Sequence, residues 1–165
     1  MVHMGALLRT IIQLIWGLWL GGLVMLFFAV QALFDTFPQR HDIAGQGASA
    51  IFHVFGYFHL ALAAAALLSV FGWRMMGPGR FKIAMFVLFA LAAVAAVYVT
   101  AVLTPHLEQL RQAGATQSEK FRQLHGLSMG IFLIETLLVF IAGLLLPGAA
   151  HRTDQALASV RPQSS

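Results

Sequence analysis

The sequence predicts an all-α integral membrane protein, an up-and-down bundle of four transmembrane helices. Three observations lead there. Of 165 residues, 59% are hydrophobic and 10% charged, whereas soluble domains are about half apolar and about a quarter charged. The mean hydropathy is +0.82. The charged residues also cut the chain into four long, nearly uncharged stretches separated by turn-forming residues. Sixteen charged side chains, ten basic and six acidic, cannot cover a soluble core of this size. An ordinary globular enzyme, a nucleic-acid reader and a disordered chain are excluded.

The first stretch, between Arg9 and Asp35, has 25 uncharged residues, and the second, between Asp42 and Arg74, has 31. Between Lys82 and Glu108 there are 25, and from Gln123 to His151 there are 29 with one charge, Glu135. About 20 apolar residues of helix cross a hydrocarbon core of ~30 Å. The expected helices are therefore 8–34, 48–73, 81–105 and 119–146. The first is too long for a signal peptide and lacks a small-residue cleavage pattern before Asp35, so it is read as retained.

Phe37-Pro38 and Gly45-Gln46-Gly47 flank the first connection, and Gly77-Pro78-Gly79 makes the second a tight hairpin. The third connection, Glu108 to Ser118, is longer and polar. Pro105 is expected to end or kink the third helix. Residues 1–147 form the membrane domain, and 148–165 are expected to be a flexible polar tail. With the N-terminus inside, Arg9, Arg74, Arg80, Lys82, Arg152 and Arg161 lie on the inner side, against Arg40, Arg111, Lys120 and Arg122 outside. Six against four favours cytoplasmic termini in a bacterial inner membrane. The net charge of +4 needs no nucleic-acid partner; loop cations set topology and meet anionic lipid. The chain has no cysteine, so a metal must be held by imidazole, carboxylate or thioether.

Helix association in lipid relies on small residues. Gly17/Gly21 and Gly126/Gly130 are G-x-x-x-G pairs, either intramolecular contacts or faces for a homo-oligomer or another membrane protein. The alanine runs 63–66 and 90–96 fit close packing. Trp73 is expected as an interfacial anchor, Trp16 and Trp19 as packing, and the 14 phenylalanines mostly as packing and lipid contact.

Polar residues inside a bilayer are costly and usually face the bundle interior. At ~1.5 Å per residue, Gln31, His53, His106 and His125 fall within roughly 10 Å of the outer surface, one per helix. His59, Thr100 and Glu135 lie deeper. On the fourth helix His125, Ser128, Met129, Phe132 and Glu135 form a drifting stripe; on the second, His53 and Tyr57 share a face while His59 is about 120° away. His53, His106 and His125, with Met129 or Gln31, are the candidate ligands of a transition metal such as copper, or of haem b. Glu135 is the single acidic residue within a span, a proton-accepting or cation-binding carboxylate to be paired with His59. Left unpartnered there, it would be held neutral.

Three segments resemble the bacterial relatives of transmembrane protein 205, a four-helix membrane family of largely unassigned function. They are Trp16-Gly17-Leu18-Trp19-Leu20-Gly21-Gly22 leading to Phe27-Phe28, the stretch from Thr104-Pro105-His106 to Gly114, and Phe121-Arg122-Gln123-Leu124-His125-Gly126-Leu127-Ser128. The third, similar to the family's F-x-x-L-H-G-x-S signature, is the distinctive one. Ile131 and Phe132 stand where the family often has an Asn. The resemblance implies a four-helix membrane domain, singles out His125 and Ser128, and implies no known reaction. A looser topological similarity to copper-resistance membrane domains supports metal binding by analogy. The leading expectation is an outer-facing metal or haem site serving metal handling or redox support. A cofactor-free structural subunit, and a membrane enzyme or proton-coupled carrier using Glu135 and His59, are the alternatives.

Overall fold

The computed structural model describes residues 2–77 and 79–160. Every regular element is helical: α1 (Val2–Thr36), α2 (His41–Met75), α3 (Arg80–Tyr98), a π-helical segment (Val99–Leu103), α4 (Thr104–Gln112) and α5 (Glu119–Val160). Four spans, Met4–Thr36, His41–Met75, Arg80–Gln112 and Glu119–Ala149, are long and apolar enough to cross a membrane. The protein is an integral membrane four-helix bundle. At ~1.5 Å per residue these spans exceed a ~30 Å hydrocarbon core, so their polar ends extend beyond it. The expected helices were too short because charge stops an apolar window without stopping a helix. Accordingly α2 starts at His41 rather than 48, absorbing Gly45-Gln46-Gly47. Residues 161–165 of the expected tail lie outside the described residues, and the backbone of α5 continues past Pro147 to Val160.

The connections follow from local chemistry. Residues 37–40 join α1 to α2, closed by Arg40 N–H donating to the Phe37 carbonyl at 3.0 Å. Gly77 has φ +151°, a left-handed value that disfavours any side chain at the α2–α3 hairpin. At the end of α4, Gly114 (φ +68°) donates to the Arg111 carbonyl and Ala115 to that of Leu110. These paired bonds are a Schellman cap. Ser118 Oγ then accepts from Phe121 N–H at 3.2 Å, capping the start of α5. Pro105 does not end the third span. Thr104 N–H reaches back five residues to Val99, and the wide turn takes up the missing proline donor before the helix runs on to Gln112.

The helices form a ring in which α1 and α3 each pack against α2 and α5. The core pairs large residues with small ones: Trp19, Phe89, Met85 and Trp73 against Ala63, Ala66, Ala92 and Ala142, all buried. Outside, Leu14, Leu18, Val54, Leu68, Val94, Leu133 and Leu144 are exposed, as lipid-facing positions require. Two expectations are corrected. Trp73 is 1% exposed and belongs to the core, because α2 turns it inward on the stripe shared with Ala66 and Val70. A Cβ at Gly17, Gly21, Gly126 or Gly130 would meet nothing within 4 Å, so none of these glycines is needed for a close helix approach inside the bundle. The close approach is elsewhere: a Cβ on Gly143 would land on the Trp16 indole, whose Nε1–H donates to the Val139 carbonyl at 2.9 Å.

Gly143→Ala is therefore expected to destabilise the bundle by about 1–3 kcal/mol through overpacking. Gly126→Ala should stay within about 0.5 kcal/mol of wild type. Reversible unfolding in mixed micelles measures both; equal costs at the two sites would contradict this packing.

Candidate functional site

Midway along three helices, the core turns polar. Trp19 is 17 residues from each end of α1, His59 is 18 and 16 from the ends of α2, and Glu135 is 16 and 14 from the ends of its span. Helices of alternating direction bring such positions to one depth. Glu135 Oε1 lies 2.7 Å from His59 Nε2 and accepts a 2.9 Å hydrogen bond from Trp19 Nε1–H. The three residues are 1%, 4% and 0% exposed. Trp19 stacks on Phe89 of α3 with ring centres 5.9 Å apart and planes 14° from parallel. The His59 ring sits between Phe55 at 5.3 Å and Trp19 at 6.2 Å. All four spans thus meet at this one contact.

Its hydrogen bonding is incomplete. Glu135 Oε2 and both His59 ring nitrogens have no aligned hydrogen-bond partner; Nε2 is close to Oε1 but off the direction of a hydrogen bond. Buried polar groups are nearly always satisfied, and exceptions call for a ligand or a role. With a neutral imidazole and an ionised carboxylate the site carries one net negative charge, which a neutral indole donor does not offset. In hydrocarbon such a charge is taken up by a proton or a cation.

The outer histidines do not converge in this way. His53 is exposed, its ring edge-on to the exposed Tyr57 at 5.2 Å. His106 is exposed, with Nδ1 2.7 Å from the Val102 carbonyl. His125 is exposed and stacks on Phe121 at 5.9 Å. Met129 is exposed, Ser128 half-buried, and Gln31 donates to Asp35 at 3.1 Å. Among the described residues no group of three or more His, Asp or Glu is placed to hold a metal.

Comparison with known proteins bears on most of the chain. The family described as "Domain of unknown function (DUF4149)" matches residues 14–116, which is 103 of the 165 residues. The chain belongs to the DUF4149 family. No curated protein and no solved structure matches. The DUF4149 region contains Trp19, His59 and Phe89, and ends before α5, so Glu135 enters the site from outside it.

Two groups of this DUF4149 protein escaped the sequence reading. On the sequence alone Trp19 reads as packing; only the facing helix reveals its carboxylate. Ser49 of α2 donates to Glu108 Oε2 of α4 at 2.8 Å, while Arg111 and Gln112 bind the same carboxylate at 3.1 Å. The spacing of Glu108 three and four residues before Arg111 and Gln112 was the available signal for that cluster.

Trp19→Phe keeps a ring against Phe89 and removes the only hydrogen-bond donor described on Glu135. The expected cost is about 1–3 kcal/mol, that of stranding a buried acceptor, read by unfolding in mixed micelles. An unchanged stability would show that the indole donor does not support the carboxylate.

Proposed function

We infer that this protein is a membrane carrier in which His59 and Glu135 form a mid-membrane centre binding one proton, or a monovalent cation in its place. The observation that carries the reading is the buried, incompletely hydrogen-bonded carboxylate–imidazole contact, 2.7 Å across. Ionisable residues inside a bundle are costly and mark ion or proton pathways. When the centre gains one positive charge it becomes neutral, and the bundle no longer holds a net charge in hydrocarbon. Trp19 fixes Oε1, so the free Oε2 is the atom best placed to take the proton. Coupling to a cargo requires only that the two charge states favour different helix arrangements. The π segment, packed against α2 and α5, is a place where such a rearrangement can be absorbed.

Infrared difference spectroscopy on the reconstituted full chain tests this. Exchange from alkaline to acidic buffer should raise a carboxyl band that shifts in heavy water and is absent in Glu135→Gln. At fixed pH, exchanging sodium for choline should change the same band if a cation competes for the site. A Glu135 signal insensitive to both pH and cation overturns the reading.

The other readings draw on fewer observations. Copper, another transition metal or haem b at His53, His106, His125 and Met129 is supported by their common end of the bundle alone; near-stoichiometric metal or a Soret band lost in His125→Ala is the result this reading expects. Association through Gly17/Gly21 or Gly126/Gly130 is supported by their open faces. For location, the basic end is assigned to the cytoplasm of a bacterial inner membrane by the charge bias. The likeness to relatives of transmembrane protein 205 rests chiefly on residues 121–128, just beyond the DUF4149 match.

A further inference from the structure

The two ends of the bundle differ in charge. At the end holding the α1–α2 and α4–α5 connections, Arg40 pairs with Asp42, Arg111 with Glu108 and Arg122 with Glu119. With Asp35 and Lys120 the count there is four acids and four bases. At the opposite end stand Arg9, Arg74, Arg80 and Lys82. Arg152 and Asp154, which follow on α5, cancel in formal charge.

At this basic end a groove of about 380 Å³ opens between the last turn of α2 and the first of α3, lined by Phe71, Arg74, Met75, Gly77, Gly79 and Ile83. Its size is that of a small-ligand site. Phe71, Met75 and Ile83 are exposed and make an apolar wall. Arg74 is exposed and makes no ion pair among the described residues; its guanidinium lies 5.8 Å from the Phe86 ring centre. Lys82, by contrast, points inward. Its Nζ donates to the Trp73 and Gly77 carbonyls, each at 3.2 Å, and lies 4.9 Å from the Trp73 ring centre. That buried cation ties the α2 terminus to α3 beside the groove.

We propose that this groove binds one anionic phospholipid, its phosphate on Arg74 and its upper chain along Phe71, Met75 and Ile83. The occupant follows from charge and position: an unpaired arginine at the head of an apolar wall, at the membrane boundary, on the end with excess positive charge. A zwitterionic lipid would gain the wall and little from the field. Free phosphate would gain the field and nothing from the wall.

Native mass spectrometry of the full chain, stripped of lipid in detergent and titrated with chain-matched lipids, tests the proposal. Phosphatidylglycerol should bind in preference to phosphatidylcholine, with one tight adduct. Arg74→Gln should weaken it about fivefold, the scale of one basic contact with an anionic headgroup. Ile83→Trp, which fills the wall, should weaken it as well. Arg40→Gln, at the other end, should leave binding unchanged. Equal binding of phosphatidylcholine, wild-type affinity in Arg74→Gln, or displacement of the lipid by equimolar inorganic phosphate would each overturn the proposal.

Discussion

The architecture depends on one polar contact midway along the core. Glu135 cannot stand in hydrocarbon alone, and the bundle meets that constraint by bringing Trp19 from α1 and His59 from α2 onto the same oxygen. Lipid offers helices little hydrophobic reason to associate, so such a contact specifies which helices face each other and at what register. Phe89 of α3 completes it by stacking on Trp19 across the bundle. The same contact is incomplete by three polar atoms, and the proposed binding of a proton or cation rests on that shortfall.

Around this centre, packing obeys the same logic of close approach. Trp16 and Trp19 of α1 both donate to α5, one to the Val139 carbonyl and one to Glu135. The indole of Trp16 needs the bare backbone of Gly143. On α2, Gly56 admits Thr100 of the π segment, whose Cγ2 would lie 3.0 Å from any added Cβ. The wide turn caused by Pro105 thus lies against the helix carrying His59, one turn from that residue.

Much of this was legible in the sequence because charge is so costly in a membrane. The uncharged stretches located the four helices, although not their polar ends, since His41 to Gly47 continue α2 despite Asp42 and two glycines. Glu135 stood out as the one acid inside a span, and depth counting set His59 at a similar level. What the sequence could not supply was rotation about each helix axis. His125 and Glu135 are ten residues apart, about 80° in direction at ~100° per residue, so Glu135 is buried while His125 and Met129 are exposed. His53 and His59 are separated by about 120°, with the same result. Equal depth at the outer end did not make a cluster. Trp19 was hidden for a related reason: an indole on an apolar helix reads as packing until its partner helix is placed.

The most direct test of the central contact is a double-mutant cycle between Trp19→Phe and Glu135→Leu, read by reversible unfolding in mixed micelles. A shared buried hydrogen bond predicts a double variant less destabilised than the sum of the singles by about 1–3 kcal/mol, because removing both partners leaves neither stranded. Additivity within about 0.5 kcal/mol would mean that the two side chains do not interact, and the site built on their contact would be wrong.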